Sequence, residues 1–126
     1  MQILIADDHV AIQQRLVKIV SQVRNAQVVG VASDGIEALK LIQDLKPELA
    51  ILDLRMPGMD GFELIRNVKQ NYPSTILLVL TNFATSAHRE RCLKLGVKYF
   101  FDKTTEFEQA IEMIERLASL CDIRPV

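Results

Sequence analysis

Cysteine is scarce in this sequence of 126 residues, which contains only Cys92 and Cys121. The two cysteines lie far apart, form no CxxC pair and have no cluster of histidines nearby, so no pattern typical of a cysteine metal site is present. We therefore expect both to be unpaired thiols of a protein in a reducing compartment.

An excess of charge of either sign is also lacking. Fifteen lysines and arginines stand against sixteen aspartates and glutamates, which gives a formal net charge of −1 at pH 7. A chain with this balance has no general electrostatic attraction to nucleic acid or to anionic lipid. We expect no nucleic-acid binding by this chain alone.

Long hydrophobic runs are missing as well. No apolar stretch approaches the roughly 18 residues that a membrane-spanning helix needs. The short run that begins at Met1 meets Asp7 too soon for a secretory signal peptide. These features predict a cytoplasmic protein without membrane contact.

The residues that are present suit a single α/β domain. Hydrophobic residues make up 49% and charged residues 25%, the balance of a globular protein long enough to bury its own core. Short apolar runs alternate with amphipathic stretches, which is the rhythm of repeated βα units around a parallel sheet. The predicted strands are Ile3 to Ala6, Val28 to Ala32, Leu49 to Leu54, Thr75 to Thr81 and Val97 to Phe101. The second strand contains Gly30 and is the weakest run, which places it at an edge.

Five helices are predicted between and after these strands. Apolar residues at helical spacing mark four of them: Ile12, Leu16, Ile19 and Val23; Ala38, Leu41, Ile42 and Leu45; Phe62, Ile65 and Val68; and Phe107, Ala110, Ile111, Ile114 and Leu117. The fourth helix, about Ser86 to Leu95, has only Ala87, Cys92 and Leu95 as candidates for the core, so we expect it to be the loosest element. The domain is predicted over residues 1–121, with residues 122–126 as a frayed carboxyl terminus or the start of a linker.

Polar side chains collect at the carboxyl ends of the predicted strands. The residues are Asp7 and Asp8 after the first strand, Asp53 at the end of the third, Thr81 at the end of the fourth and Lys103 after the fifth. In a parallel sheet these ends meet at one edge, and ligands bind there where the strand order reverses. The second strand contributes no such residue, which agrees with a doubly wound, flavodoxin-like sheet in the order 2-1-3-4-5.

The three carboxylates predict a metal site. Crowded together they repel each other unless a cation is present, and their oxygens suit a hard ion such as Mg²⁺. Taken singly, some of the residues have plainer explanations: Asp8 as a turn former or helix N-cap, Lys103 as a solvated loop lysine, Thr81 as an ordinary strand residue. Asp53 ends the most apolar strand, where a lone carboxylate is costly to desolvate. The two histidines of the sequence are expected to be non-catalytic.

Four short segments contain these residues: Ile5-Ala6-Asp7-Asp8-His9, Leu52 to Gly61, Leu80-Thr81 and Phe101-Asp102-Lys103. Together they resemble the receiver domain of bacterial two-component response regulators, and the resemblance covers nearly the whole chain. It implies that Asp53 accepts a phosphoryl group from a phosphohistidine on a histidine kinase or a histidine phosphotransfer protein. It also implies that the chain catalyses this modification itself and then hydrolyses it slowly, without being a conventional enzyme.

The resemblance assigns a role to each residue of the site. The residues assigned to Mg²⁺ are Asp8, Asp53, the backbone carbonyl of Arg55 and, through water, Asp7. Thr81 and Lys103 are assigned to the phosphoryl oxygens. The chemistry asks for these types, because a carboxylate can attack phosphorus while a metal ion and a lysine stabilise the charge on the transferring group.

Phe100, three residues before Lys103, matches the aromatic position of the family's conformational switch. With a phosphoryl group on Asp53, we expect the Thr81 hydroxyl to swing toward it and Phe100 to rotate inward. Because the phenylalanine ring has no hydroxyl, burial must drive its rotation. The expected consequence is a change in homodimer formation or partner binding through the face of helix four, strand five and helix five.

The sequence departs from the family pattern beside the acceptor. Asn82 and Phe83 follow the fourth strand, where most members have a small residue first, so we expect narrower access to the phosphoryl site. With the bulky Arg55, Phe83 predicts a fairly long-lived phosphoryl group.

A second departure follows Lys103, where Thr104 replaces the usual proline. Thr104 or Thr105 is expected to cap the last helix. If Thr105 is the cap, Glu108 stands at the spacing of a capping box.

Other functions agree less well with the residues. A phosphatase of the haloacid dehalogenase type also uses a strand-end aspartate and Mg²⁺, but it needs a second aspartate where this sequence has Arg55. A flavodoxin-like module for a nucleotide or flavin needs a phosphate loop after the first strand, and no GxGxxG or GxxxxGK is present. The remaining alternative is a phosphorylation-independent docking module with a receiver fold, against which the complete set of site residues argues.

Overall fold

Strands and helices alternate along residues 1–120, the part of the chain that this computed structural model describes. The strands are β1 (Gln2–Ala6), β2 (Gln27–Ala32), β3 (Leu49–Leu52), β4 (Ile76–Thr81) and β5 (Tyr99–Asp102). The helices are α1 (Val10–Val20), α2 (Gly35–Leu45), α3 (Gly61–Asn71), α4 (Ser86–Lys94) and α5 (Phe107–Ser119). Cys121 and the predicted terminal segment 122–126 lie outside the described residues. Among residues 1–120, no helix combines the length and the apolar character needed to cross a membrane.

The strands form one parallel sheet in the order β2-β1-β3-β4-β5, which confirms the predicted fold class and strand order. β2 is an edge strand, as its weak apolar run predicts. Ala6 pairs with Leu52, and Leu52 pairs with Val79, so β1 and β3 end at the same level of the sheet. The residues that follow these two strands therefore leave the sheet side by side.

Successive side chains of a strand point to opposite faces of the sheet. Because the central strands are apolar on both faces, helices cover both. Toward α2, α3 and α4, the three central strands direct Leu4, Ala6, Ala50, Leu52, Leu77 and Val79. Toward α1 and α5, they direct Ile3, Ile5, Leu49, Ile51, Leu78 and Leu80. The two cores bury the central strands on both faces and hold their carboxyl ends in place.

The predicted end of β3 is wrong by two residues. The strand ends at Leu52 instead of Leu54, because the Leu54 carbonyl accepts the N–H of Gly61 at 3.1 Å, at the start of α3. Asp53 therefore lies just beyond the last strand residue, at the beginning of the loop.

The predicted start of β5 is also wrong. The strand begins at Tyr99 instead of Val97, because the Val97 N–H closes the end of α4 by donating to the Cys92 carbonyl at 3.0 Å. Gly96 has a φ of +95° in this turn, a conformation that favours glycine. β5 continues to Asp102, which brings its end directly to Lys103.

α4 is the least buried helix in the described part of the chain. Its one buried residue is Cys92, and Leu95 just beyond it packs partly against the core. Ala87 was predicted to be in the core and is exposed, so that assignment is wrong. The neighbouring helices α3 and α5 bury five and four residues respectively.

The predicted threonine cap of α5 is wrong. The N-cap is Glu106, whose side chain makes no capping bond. Asp102 orders the preceding turn instead, because its Oδ1 accepts the N–H of Thr104 at 2.8 Å and that of Thr105 at 3.2 Å. The Thr104 hydroxyl donates to Asn82 Oδ1 at 3.1 Å and so joins the loops after β4 and β5.

Candidate functional site

Two carboxylates are buried where β1 and β3 end. Asp7 and Asp53 each have a side chain that is 3% exposed. The Asp53 N–H donates to the Ala6 carbonyl and the Asp7 N–H to the Ala32 carbonyl, both at 3.0 Å, so each aspartate is held beside a neighbouring strand. A buried carboxylate needs hydrogen-bond donors or opposite charge around it.

Lys103 supplies the opposite charge. Its Nζ lies 2.6 Å from Asp7 Oδ2 and 2.8 Å from Asp53 Oδ2. Burial, the largest single influence, lowers the pKa of Lys103, but the hydrogen bonds and charges of Asp53 and Asp7 outweigh it and raise the pKa above its usual value. The lysine is protonated and buried, and its explanation as a solvated loop residue is wrong.

The second oxygen of Asp53 is held by other donors. The buried Thr81 hydroxyl donates to Asp53 Oδ1 at 2.9 Å, and the Arg55 N–H reaches the same oxygen at 3.3 Å. The Thr81 hydroxyl also accepts the N–H of Phe83 at 3.1 Å, which fixes its orientation. Both oxygens of Asp53 thus have defined partners.

Asp8 completes an acidic cluster on the solvent side. Ligand atoms of Asp7, Asp8, His9 and Asp53 all lie within 4.8 Å of one another. The Asp8 side chain is 34% exposed, and its Oδ1 lies 3.2 Å from Nδ1 of His9. The N-cap of α1 is His9, whose side chain makes no capping bond, so the explanation of Asp8 as a helix cap is wrong.

The composition of this cluster fits a divalent cation. Three carboxylates meet only one buried lysine, so negative charge remains beside the exposed Asp8. Carboxylate oxygens are the ligands that Mg²⁺ prefers in proteins, usually one or two of them with water and substrate oxygens.

A cavity of about 510 Å³ opens beside the acidic cluster and shares Asp8 with it. Arg55 and Phe83, the two bulky residues expected to limit access to the acceptor, both line the cavity and contact each other, with Arg55 Cζ 3.8 Å from the centre of the Phe83 ring. His88 Nδ1 lies 2.7 Å from the Phe83 carbonyl oxygen and ties that loop to α4.

Phe100 lies on the α4 side of the sheet and is 8% exposed. Its ring therefore already occupies the inward position, and Thr81 already donates to Asp53. These are the positions that the sequence analysis assigned to the switched state. The movement of the two residues stays a prediction.

Gln13 is a residue of the site that the sequence analysis missed. Its Nε2 donates to the Asp7 carbonyl, to the Ala32 carbonyl at 3.2 Å and to Ser33 Oγ at 2.9 Å. It thereby joins the ends of β1 and β2 beneath the acidic pair. The buried residues of α1 are Gln13, Leu16 and Val20, whereas the predicted core residues Ile12 and Ile19 are only partly buried. The helical spacing of Gln13 from Leu16 and Val20 was the one sequence signal that could have identified it as buried.

Comparison with known proteins assigns the chain to a family. Residues 3–115 match the family model of the response regulator receiver domain, and the chain belongs to that family. YhcZ of Bacillus subtilis (strain 168), an uncharacterized transcriptional regulatory protein, is 38% identical over 112 residues, covering 89% of this chain and 52% of that protein. The response regulator GacA of Pseudomonas aeruginosa is 27% identical over 116 residues, covering 92% of this chain and 54% of that protein. The chain thus spans about half the length of these curated relatives.

Solved structures share the fold. The signal receiver domain of the putative response regulator NarL from Mycobacterium tuberculosis has a TM-score of 0.85 at 30% identity, covering 94% of this chain and 95% of that one. The isolated REC domain of RcsB from Salmonella enterica serovar Typhimurium, in the presence of the phosphomimetic BeF₃⁻, has a TM-score of 0.82 at 28% identity, covering 100% and 91%. The chain is a response regulator receiver domain of two-component signalling.

Proposed function

We propose that Asp53 accepts a phosphoryl group from a phosphohistidine of a histidine kinase or a histidine phosphotransfer protein. The observation that carries this proposal is the environment of Asp53, a buried carboxylate with Lys103 on one oxygen and Thr81 on the other. A nucleophile fixed in this way loses little freedom when it reacts. In the transfer, an Asp53 oxygen forms a bond to phosphorus while the phosphorus–nitrogen bond breaks, and the imidazole leaves with that electron pair.

The charges around Asp53 support the same reaction. The Lys103 ammonium, 2.8 Å from Asp53 Oδ2, is placed to stabilise negative charge on the phosphoryl oxygens, and the Thr81 hydroxyl is placed to donate to one of them. Mg²⁺ would be held by the following groups: Asp8, Asp53, the Arg55 carbonyl and, through water, Asp7. When bound, the ion neutralises part of the charge on the transferring group.

The contact between Arg55 and Phe83 supports a slow loss of the phosphoryl group. The guanidinium stacks on the ring at 3.8 Å, and both side chains line the cavity that shares Asp8 with the acidic cluster. In this proposal side-chain cover, rather than the metal chemistry, limits the approach of water to phosphorus.

The output of the site is proposed to pass through Thr81 and Phe100. Thr81 pairs with Asp102 across the β4 and β5 ladder, and Phe100 pairs with Val79, so a change at the acceptor reaches β5 directly. We define the signalling face as α4, β5 and α5 together. Phosphorylation in the cytoplasm would change homodimer formation or partner binding through this face.

Incubation with acetyl phosphate and Mg²⁺, followed by intact mass spectrometry, tests the proposed function. We expect a gain of one phosphoryl group in the presence of Mg²⁺. No gain is expected when EDTA is present from the start. A folded protein that gains no phosphoryl group under these conditions would instead be a docking module that works without phosphorylation.

A further inference from the structure

Arg89 of α4 contacts both other elements of the signalling face. Its Nη1 donates to the Phe100 carbonyl at 2.9 Å, and its Cζ lies 4.7 Å from the centre of the Phe100 ring. Its Nη2 donates to Glu106 Oε1 at 2.8 Å, directly before α5. The same Glu106 oxygen accepts the Asp102 N–H at 3.0 Å. One guanidinium therefore bonds to the backbone of β5 and to the residue at the N-cap position of α5, and it lies over the Phe100 ring.

From this geometry we infer that Arg89 is the residue that positions the Phe100 ring and couples its movement to α4. The inference rests on the proposed function for its biological meaning. A phenylalanine cannot be fixed by a side-chain hydroxyl, so the ring needs another partner that distinguishes its inward position. Arg89 supplies one, because a guanidinium can stack on an aromatic face while its edge donates hydrogen bonds.

Glu106 keeps Arg89 in that orientation. The hydrogen bond from the Asp102 N–H, together with the bond from Arg89, lowers the pKa of Glu106, so the carboxylate stays ionised at neutral pH. Because the Asp102 N–H belongs to the end of β5, any shift of that strand moves Glu106 and Arg89 with it. The residue next to Asp102 is Lys103, which binds the phosphoacceptor.

The exposure of Arg89 and Glu106 suggests that this pair couples α4 to β5 and contributes little to the stability of the fold. Arg89 is 46% exposed and Glu106 is 33% exposed, and ion pairs of this kind contribute little to folding. α4 also buries a single side chain, Cys92, so it can move without opening a large part of the core. Loss of Arg89 should therefore leave the fold intact and disconnect α4 from Phe100.

Hydrogen exchange of α4 with and without Mg²⁺ and BeF₃⁻ tests the coupling. The variant is Arg89→Met, and the matched control is Arg91→Met on the same helix. Arg91 stacks on Phe62 with its Cζ 3.9 Å from the ring centre, and among the described residues it has no bond to β5 or α5. Both substitutions thus remove the same charge and the same kind of stacking contact, but only one removes the link to β5.

In the wild type and in Arg91→Met, we expect the phosphoryl mimic to change the exchange of α4. In Arg89→Met this change should be largely lost, while ¹⁹F NMR still shows bound BeF₃⁻. Arg89→Lys, which keeps the charge without the planar fork, should recover only part of it. A full response of α4 in Arg89→Met, or the same loss in Arg91→Met, overturns the inference.

The position of the ring gives a second readout that does not depend on phosphorylation. In the protein without mimic, NMR signals of a ¹³C-labelled Phe100 ring should shift in Arg89→Met, and the ring should become more accessible to a paramagnetic solvent probe. The loss of the stacking contact alone corresponds to about a two- to fivefold change in the population of the inward position. If BeF₃⁻ does not bind the wild type, the proposed function fails, and an unchanged ring in Arg89→Met would separately refute the role of Arg89.

Discussion

The acidic site and the signalling face of this domain are built in opposite ways. At the site, the side chains of Asp7, Asp53 and Lys103 are at most 4% exposed, and Lys103 bonds directly to both carboxylates. On the signalling face, α4 is joined to the start of α5 through the solvent-accessible pair of Arg89 and Glu106. The site is thus fixed by desolvated charges, while the face is connected by contacts that solvent screens.

Under the proposed function, this difference would let one small domain combine a rigid reaction centre with a movable output. A reaction centre gains from groups that are already in place, because no reorganisation is needed when charge develops. A signalling helix gains from weak attachment, because a small bias can then shift its position. β4 and β5 connect the two regions, since Thr81 lies beside Asp102 in their ladder.

The largest effect is expected when the acidic site loses the positive charge of Lys103. Lys103→Met leaves Asp7 and Asp53 buried without opposite charge, and breaking a buried ion pair in this way costs about 3–5 kcal/mol. We expect a lower free energy of unfolding in urea and no phosphorylation by acetyl phosphate. The control is Lys98→Met, which removes an exposed lysine. Equal stability of the two variants would contradict the account of a charge-fixed site.

The next test measures the lifetime of the phosphoryl group. It concerns the stacked pair of Arg55 and Phe83 beside the acidic site. Arg55→Asn combined with Phe83→Ala removes the stacked pair, so water should reach phosphorus more easily and the phosphorylated protein should decay several-fold faster in Mg²⁺. Arg91→Asn is the control, since Arg91 lines the same cavity and stacks on a different ring. Unchanged or slower decay in the double variant would refute the role of the cover.

The reactivity of Cys92 measures how firmly α4 is attached. Burial raises the pKa of this thiol to about 11, so little thiolate exists at pH 8 and a reagent must wait for the helix to move. In a Cys121→Ser background, we expect Cys92 to react with a disulfide reagent far more slowly in the folded protein than in urea, and at a rate that BeF₃⁻ changes. Reaction as fast as that of a free thiol would mean that α4 is not docked in solution.

The smallest effect concerns the exposed pair of the signalling face. Because the pKa of Glu106 is lowered in the folded state, its contribution to stability is complete above the ordinary value of 4.5 and is lost as the pH falls below it. Glu106→Gln should therefore reduce stability at pH 7 by about a few tenths of a kcal/mol, the size expected of an exposed pair, and by less at pH 3. A larger loss at pH 3 than at pH 7 would have the wrong sign.

The sequence was sufficient for the fold and for the strand-end residues of the site, but Gln13 of α1 was missed. Alternating apolar runs locate the strands, and strand ends in a parallel sheet must meet, so the gathering of Asp7, Asp53, Thr81 and Lys103 follows from their positions alone. The boundaries of β3 and β5 could not be read in this way, because Leu54 and Val97 are apolar but bond to helices.

Side-chain contacts between segments far apart in the chain could not be predicted from the sequence. Lys103 is 96 residues from Asp7, and nothing in the pattern of either segment shows that one ammonium bonds to two carboxylates. Lys103 also compensates the charge of Asp53, so Asp53→Asn would leave the lysine one partner short. We therefore expect no gain in stability from this variant. The pairing of Arg89 with Glu106 was hidden for the same reason, since both are ordinary surface residues by composition.

The central claim, that Asp53 is the phosphoacceptor, is tested most directly by locating the acyl phosphate. After incubation with acetyl phosphate and Mg²⁺, borohydride reduces an aspartyl phosphate to homoserine, which peptide mass spectrometry assigns to a single position. The account predicts homoserine at residue 53 in the wild type and none anywhere in Asp53→Asn, with circular dichroism showing that the variant is folded. Homoserine at residue 7 or 8, or acid-labile phosphate retained by Asp53→Asn, would contradict it.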